Sequence, residues 1–157
     1  MRITQNTLLL ATLALINVHL EAQSFKVLVL NAVNGKPRSN MQVDYYCSDA
    51  TRSYLADEIE DDTDDEGVVI VPYQCKGKDA RIHISVGDDP AARKPWEQCG
   101  GSAVTATIEE ISSEGIVHAP DAAGQMQCTT KISRKLKPVP GQVTIFVKKP
   151  SWMQSHF

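Results

Sequence analysis

The chain has 157 residues, of which 42% are hydrophobic and 22% charged, with 9 Gly and 8 Pro. That is the composition of a globular protein with a packed core, not of a disordered, collagen-like or polytopic membrane chain. Its formal net charge is -3 and it carries no Lys/Arg stripe, so the electrostatic footprint of a nucleic-acid binder is missing. The length suits one ordinary domain and excludes a second large catalytic lobe.

Arg2 precedes an apolar stretch over residues 8–20, followed by Glu21, Ala22, Gln23 and Ser24. A charged start, a short apolar middle and a small-x-small end predict a secretory signal peptide over residues 1–24, cut after Ala22 or Ser24. A spanning helix needs about 20 apolar residues, and this run already contains Asn17 and His19. No later stretch is long enough to span a bilayer. The expectation is a secreted chain, periplasmic or extracellular, with a single domain over 25–150 and a tail over 151–157 that keeps Trp152 and Phe157.

Residues 25–33 (FKVLVLNAV) read as a buried strand, because a nearly continuous apolar run rich in valine suits a sheet interior. Asn34, Gly35, Lys36 and Pro37 then turn the chain. Met41, Val43, Tyr45 and Cys47 alternate with Gln42, Asp44 and Tyr46, a period of two that turns Cys47 inward. The polar stretch that follows contains an acidic run from Asp57 to Glu66, with room for one short edge strand. After Gly67, residues 68–72 (VVIVP) form a further strand leading to Cys75. Gly77 turns the chain again, and Ile82, Ile84 and Val86 alternate with polar neighbours, which reads as a hairpin with 68–72.

Residues 88–101, with Pro90, Pro95, Trp96, Cys99 and a Gly-Gly pair, read as a loop. Val104, Ala106 and Ile108 alternate. Thr107 stands three residues before Glu110 as in a capping box, and Gly115 sits where a short helix would stop. Residues 120–137 read as a polar connection containing Cys128, and Val143, Ile145 and Val147 as the last strand. Six or seven short strands with one short helix predict an all-β fold, a two-sheet sandwich of the immunoglobulin-like or prealbumin-like kind.

Cys47, Cys75, Cys99 and Cys128 are the only cysteines, and an even number in an exported chain predicts two disulfides. Three connectivities are possible. Cys47 with Cys75 and Cys99 with Cys128 is the favoured one, because each pair flanks one contiguous unit; the first bridge is expected inside the fold and the second as a surface clamp. The cysteines are separated by 27, 23 and 28 residues, too far apart for the close pairs that zinc ligands form.

Residues 29–43 (VLNAVNGKPRSNMQV), 63–72 (TDDEGVVIVP) and 81–87 (RIHISVG) resemble the carboxypeptidase regulatory-like domain, a transthyretin-related β-sandwich of exported proteins. In that family N-G-K-P joins the first two strands and T-D-x-x-G starts a later one. The resemblance implies left-handed backbone at Gly35 and Gly67, turn hydrogen bonds from Thr63 and Asp64, and left-handed geometry at Asn40, where the family has Gly. It covers about residues 25–87. The second half, with Trp96, Cys99, Cys128 and the strand at 142–148, resembles small exported bacterial proteins without an assigned activity.

Chemistry-bearing patterns are sparse. Asp62, Asp64, Glu66 and Gly67 imitate the start of a calcium loop, but the twelfth position is Tyr73 and not the bidentate Glu that such a loop requires. His83, His118 and His156 read as surface residues, without a nucleophile elbow, zinc motif or phosphate loop beside them. Of the aromatic residues Tyr45, Tyr46, Tyr54, Tyr73, Trp96 and Trp152, alternation exposes Tyr46 and a loop exposes Trp96, where either could meet a sugar or a protein. No residue is assigned a catalytic, cofactor-binding or metal-binding role. The expected function is a non-catalytic exported binding or structural accessory module with a protein or glycan partner; the alternative is a calcium- or carbohydrate-binding recognition module.

Overall fold

A computed structural model describes residues 24–48, 59–75, 80–87, 96–99, 103–118, 132 and 135–149. Its elements run β1 (Ser24–Asn31), β2 (Gln42–Ser48), β3 (Ile59–Asp62), β4 (Val68–Pro72), β5 (Arg81–Val86), β6 (Glu97–Gln98), β7 (Val104–Ala106), α1 (Ile108–Ser113), β8 (Ile116–His118) and β9 (Gln142–Lys148). Two sheets face each other as a β-sandwich. The four-stranded sheet has the order β3-β2-β5-β7, all antiparallel. The five-stranded sheet runs β4-β1-β9-β6, with β8 also beside β9. There β1 and β9 are parallel, while β8 and β6 share the far edge of β9, at Val143 to Ile145 and at Val147 and Lys148 respectively.

Alternation fills the space between the sheets. Phe25, Val27 and Val29 of β1 meet Val43, Tyr45, Ile82 and Ile84 of the opposite sheet in one buried cluster that also takes Val69, Val71, Val143, Ile145 and Val147. The helix adds Ile111, fully buried. A capping box starts it: the Glu110 amide donates to Thr107 Oγ1 at 3.2 Å, and the Thr107 amide donates to Glu110 Oε2 at 2.8 Å. Gly115 ends it at φ 74, where a Cβ would run into the Val139 carbonyl.

The turn residues adopt the left-handed backbone expected of them. Gly35 has φ 70, Gly67 has φ 73, and Asn40 is the only non-glycine at positive φ among the described residues, at 54. Asp64 Oδ1 accepts from the amides of Glu66 and Val68 at 3.0 and 2.7 Å.

Several expectations need correction. The strands β4 and β5 do not form a hairpin: β4 pairs with β1 and β5 with β2 and β7. Each has an inward-facing apolar row, and such a row is buried equally well in either sheet. The first strand stops at Asn31, leaving Val33 74% exposed, because the turn begins earlier than its hydrophobicity suggests. The loop at 88–101 contains β6, and β8 follows the helix where no strand was expected. Ile108 is the first residue of the helix, directly after the N-cap Thr107.

The last strand is central and buried on both faces, with Thr144 and Phe146 as inaccessible as Val143 and Ile145. The reason lies in the connection expected to be polar. Ile132 and Leu136 pack with Leu28, Leu30, Val117, Cys99 and Phe146 against the outer side of the five-stranded sheet. That sheet therefore has a second, smaller core on its back.

Candidate functional site

Covering one sheet leaves the other with an open face. Alternation turns Tyr46 and Ser48 of β2 and Arg81, His83 and Ser85 of β5 away from the core, and Thr105 of β7 joins them. The β2–β5 register sets Tyr46 directly opposite His83 and Ser48 opposite Arg81. Adjacent strands lie about 4.7 to 4.9 Å apart, so two upright rings on such a pair stack. The Tyr46 and His83 rings do so, at 4.7 Å and an interplanar angle of 4°.

Both imidazole nitrogens are engaged: Ser48 Oγ lies 2.6 Å from Nε2, and Thr105 Oγ1 3.0 Å from Nδ1. Burial, then the charge of Arg81, lowers the His83 pKa from its ordinary 6.5, so the ring is neutral near pH 7, with one nitrogen donating and the other accepting. A serine bonded to a histidine supplies the nucleophile and the base, the first half of a catalytic triad. The second half is missing, because the third group is a threonine hydroxyl, and a carboxylate is what stabilises the imidazolium of a catalytic triad. Arg81 opposes that imidazolium. This arrangement orders side chains better than it moves protons.

Tyr45, one residue before Tyr46, points into the core, and its hydroxyl donates to Asp61 Oδ2 at 2.9 Å. Burial, that hydrogen bond and the Asp61 charge push its pKa up to about 12. Beside it, a cavity of about 180 Å³ is lined by Tyr45, Tyr46, Cys47, Ile59, Pro72, Gln74 and Ile82. This is below the roughly 300 Å³ at which ligand pockets begin.

Cys47 and Cys75 form a disulfide with Cα atoms 5.2 Å apart. Since β2 and β4 lie in different sheets, the bridge ties the end of β2 in one sheet to the segment leaving β4 in the other. Cys99 is also disulfide-bonded. Cys128, its expected partner, lies outside the described residues. The surface-clamp expectation is wrong for Cys99, which is 1% exposed because its amide donates to Phe146 O at 2.8 Å and draws it into the rear core.

Elsewhere the expected residues fare unevenly. In the calcium-like loop, Asp64 Oδ1 is committed to the two backbone amides, and among the described residues no three His, Cys, Asp or Glu side chains converge. Neither His83 nor His118 is a plain surface group. His83 is wedged as described, and His118 on β8 is half-buried with Nε2 lacking a hydrogen-bond partner. Burial lowers the His118 pKa, against an opposing backbone hydrogen bond at Cys99. Trp96 is half-buried against the main core, with the Arg38 guanidinium carbon 4.0 Å and Lys149 Nζ 5.3 Å from its ring centroid. Tyr54, Trp152, His156 and residues 1–23 lie outside the described residues.

Sequence reasoning found Tyr46 and His83 separately and missed Ser48 and Thr105. Their shared outward parity was readable, but the pairing of β2 with β5 and β5 with β7 was not. No protein-family model, curated protein or solved structure matches this chain. Among the described residues no helix is long and apolar enough to cross a membrane.

Proposed function

We propose that this chain is an exported β-sandwich of the carboxypeptidase regulatory-like type that acts by binding, with the outer face of its four-stranded sheet as the recognition surface. The observation that carries the binding reading is the Ser48–His83–Thr105 row with Tyr46 stacked on it. Side chains already held by hydrogen bonds and stacking lose little further freedom when a partner docks. The exposed Arg81 adds a charged contact beside them. On the opposite sheet the corresponding face is occupied by the chain's own Ile132 and Leu136.

Family placement draws support from position. The N-G-K-P element lies between β1 and β2, and T-D-x-x-G leads directly into β4, as the family has them. Export draws support from the Cys47–Cys75 bridge, since such bonds persist mainly in oxidising compartments. Cleavage after Ala22 is the favoured processing site, because Ser24 already pairs with Pro72 in β1.

Glycan-array binding and calcium titration, each with wild type and a Tyr46→Ser/His83→Ser variant, test the reading. Saturable glycan binding lost in the variant at unchanged melting temperature supports it and names the ligand class. Turnover of ester or peptide substrates that depends on Ser48 would replace it with an enzymatic reading. A calcium isotherm insensitive to the variant would move recognition to the acidic loop.

A further inference from the structure

Arg38, Trp96 and Lys149 come from three separate stretches of chain, and each stretch is anchored. The Arg38 amide donates to Val29 O at 3.0 Å, and its carbonyl accepts from Thr63 Oγ1 at 2.7 Å. Trp96 packs on the core immediately before β6, which pairs with β9. Lys149 directly follows β9. The fold thus gathers two cations on one indole, with the guanidinium carbon at 4.0 Å and the ammonium at 5.3 Å from the ring centroid.

Like charges repel, and the indole quadrupole attracts each cation without neutralising it. Arg38 Nε is buried and has no hydrogen-bond acceptor, a donor left without the partner that buried polar groups ordinarily have. A guanidinium presents a planar fork suited to oxyanions, and an ammonium supplies a compact point charge.

We propose that Arg38, Trp96 and Lys149 form a binding site for a tetrahedral oxyanion, a phosphate or sulfate group that accepts from the Arg38 guanidinium and is balanced by Lys149. Two positive charges match a dianion. The site is independent of the open sheet face, and its test does not depend on that face.

Trp96 is its own reporter. In a Trp152→Phe background it is the sole tryptophan of a chain that has 2, and its fluorescence is titrated with inorganic phosphate, with sulfate and with a sulfated heparin oligosaccharide at constant ionic strength. A saturable change, weakened at least tenfold by Arg38→Gln and by Lys149→Gln but not by Lys26→Gln, is expected. Arg38→Lys should weaken it less than Arg38→Gln. A response to the inorganic ions alone identifies free phosphate or sulfate as the source, and a tighter response to the oligosaccharide identifies an anionic glycan. An equal response to chloride, no response, or full binding by variants with wild-type melting temperatures would overturn the site.

Discussion

Thr63 and Met41 close a ring of hydrogen bonds between the start of β2 and the turn before β4. The Thr63 amide donates to Met41 O at 3.0 Å, and the Met41 amide donates to Thr63 Oγ1, also at 3.0 Å. The same hydroxyl donates to Arg38 O at 2.7 Å. One side chain, 2% exposed, thereby fixes the chain on both sides of Asn40. Thr63→Val keeps the shape but leaves a buried amide unpaired, and should cost about 2 to 3 kcal/mol. Thr63→Ser should cost less than about 1 kcal/mol in chemical denaturation. Equal losses in the two variants would show that the methyl group, not the hydroxyl, matters.

Gly67 and Gly141 have nearly the same φ, 73 and 75, but different surroundings. A Cβ on Gly67 would lie 2.8 Å from the Arg38 amide nitrogen and 2.9 Å from Val29 O, while a Cβ on Gly141 meets nothing within 4 Å. Gly141→Ala should therefore cost only the left-handed penalty, about 1 to 2 kcal/mol. Gly67→Ala should cost that plus the displacement of backbone, about 1 to 3 kcal/mol more. Similar melting temperatures for the two variants would contradict the close packing of the T-D-x-x-G turn against the N-G-K-P segment.

These two elements were the most legible parts of the sequence, because turn residues specify backbone locally: Asn40, Gly35 and Gly67 each reveal a left-handed position without reference to the rest of the chain. Alternation likewise located β2 and β5, and a short apolar run located β4. Which strand lies beside which was not legible, since the inward rows of β4 and β5 are interchangeable as sequence patterns. The short β6 and β8 escaped because two or three residues carry no period. They exist only as additions to β9, and the burial of Phe146 on its outer side depends on Ile132 and Leu136, from the segment just before β9, folding back over the sheet. The candidate site shared this limit: Tyr46 and His83 had readable parity, while their stacking depends on register.

Peptide mapping of the unreduced protein should recover Cys47–Cys75 and Cys99–Cys128. Loops of this size give about 3 to 4 kcal/mol per bridge in the chain-entropy model, so the difference between the bridges comes from packing. Cys99 is 1% exposed, whereas Cys47 and Cys75 are half-buried. Replacing Cys99 and Cys128 by Ala should therefore destabilise more than replacing Cys47 and Cys75, because a buried sulfur also leaves a void. The opposite order in urea denaturation would refute the packing of Cys99 against Phe146.

Acid should destabilise the protein through its histidines. Burial lowers the pKa of both His83 and His118 from 6.5, assisted at His83 by Arg81. The unfolded chain then binds protons more readily than the folded one, so the contribution to stability is full above pH 6.5 and is lost as pH falls through and below that value. Melting temperature should decline between pH 7.5 and 5.5, and the decline should be shallower in a His118→Gln variant and shallower still when His83→Gln is added. A slope unchanged in both would show that neither histidine carries it.

Recognition through the open sheet face is tested most directly by photo-crosslinking the protein in its native cells. A benzophenone amino acid replaces Arg81 on that face, or Ile70, which is 58% exposed on the outward side of the other sheet. Position 81 should give one discrete adduct that excess wild-type protein suppresses and excess Tyr46→Ser/His83→Ser protein does not, while position 70 gives none. No adduct from position 81, or the same adduct from both positions, would contradict the assignment of the four-stranded sheet as the binding face.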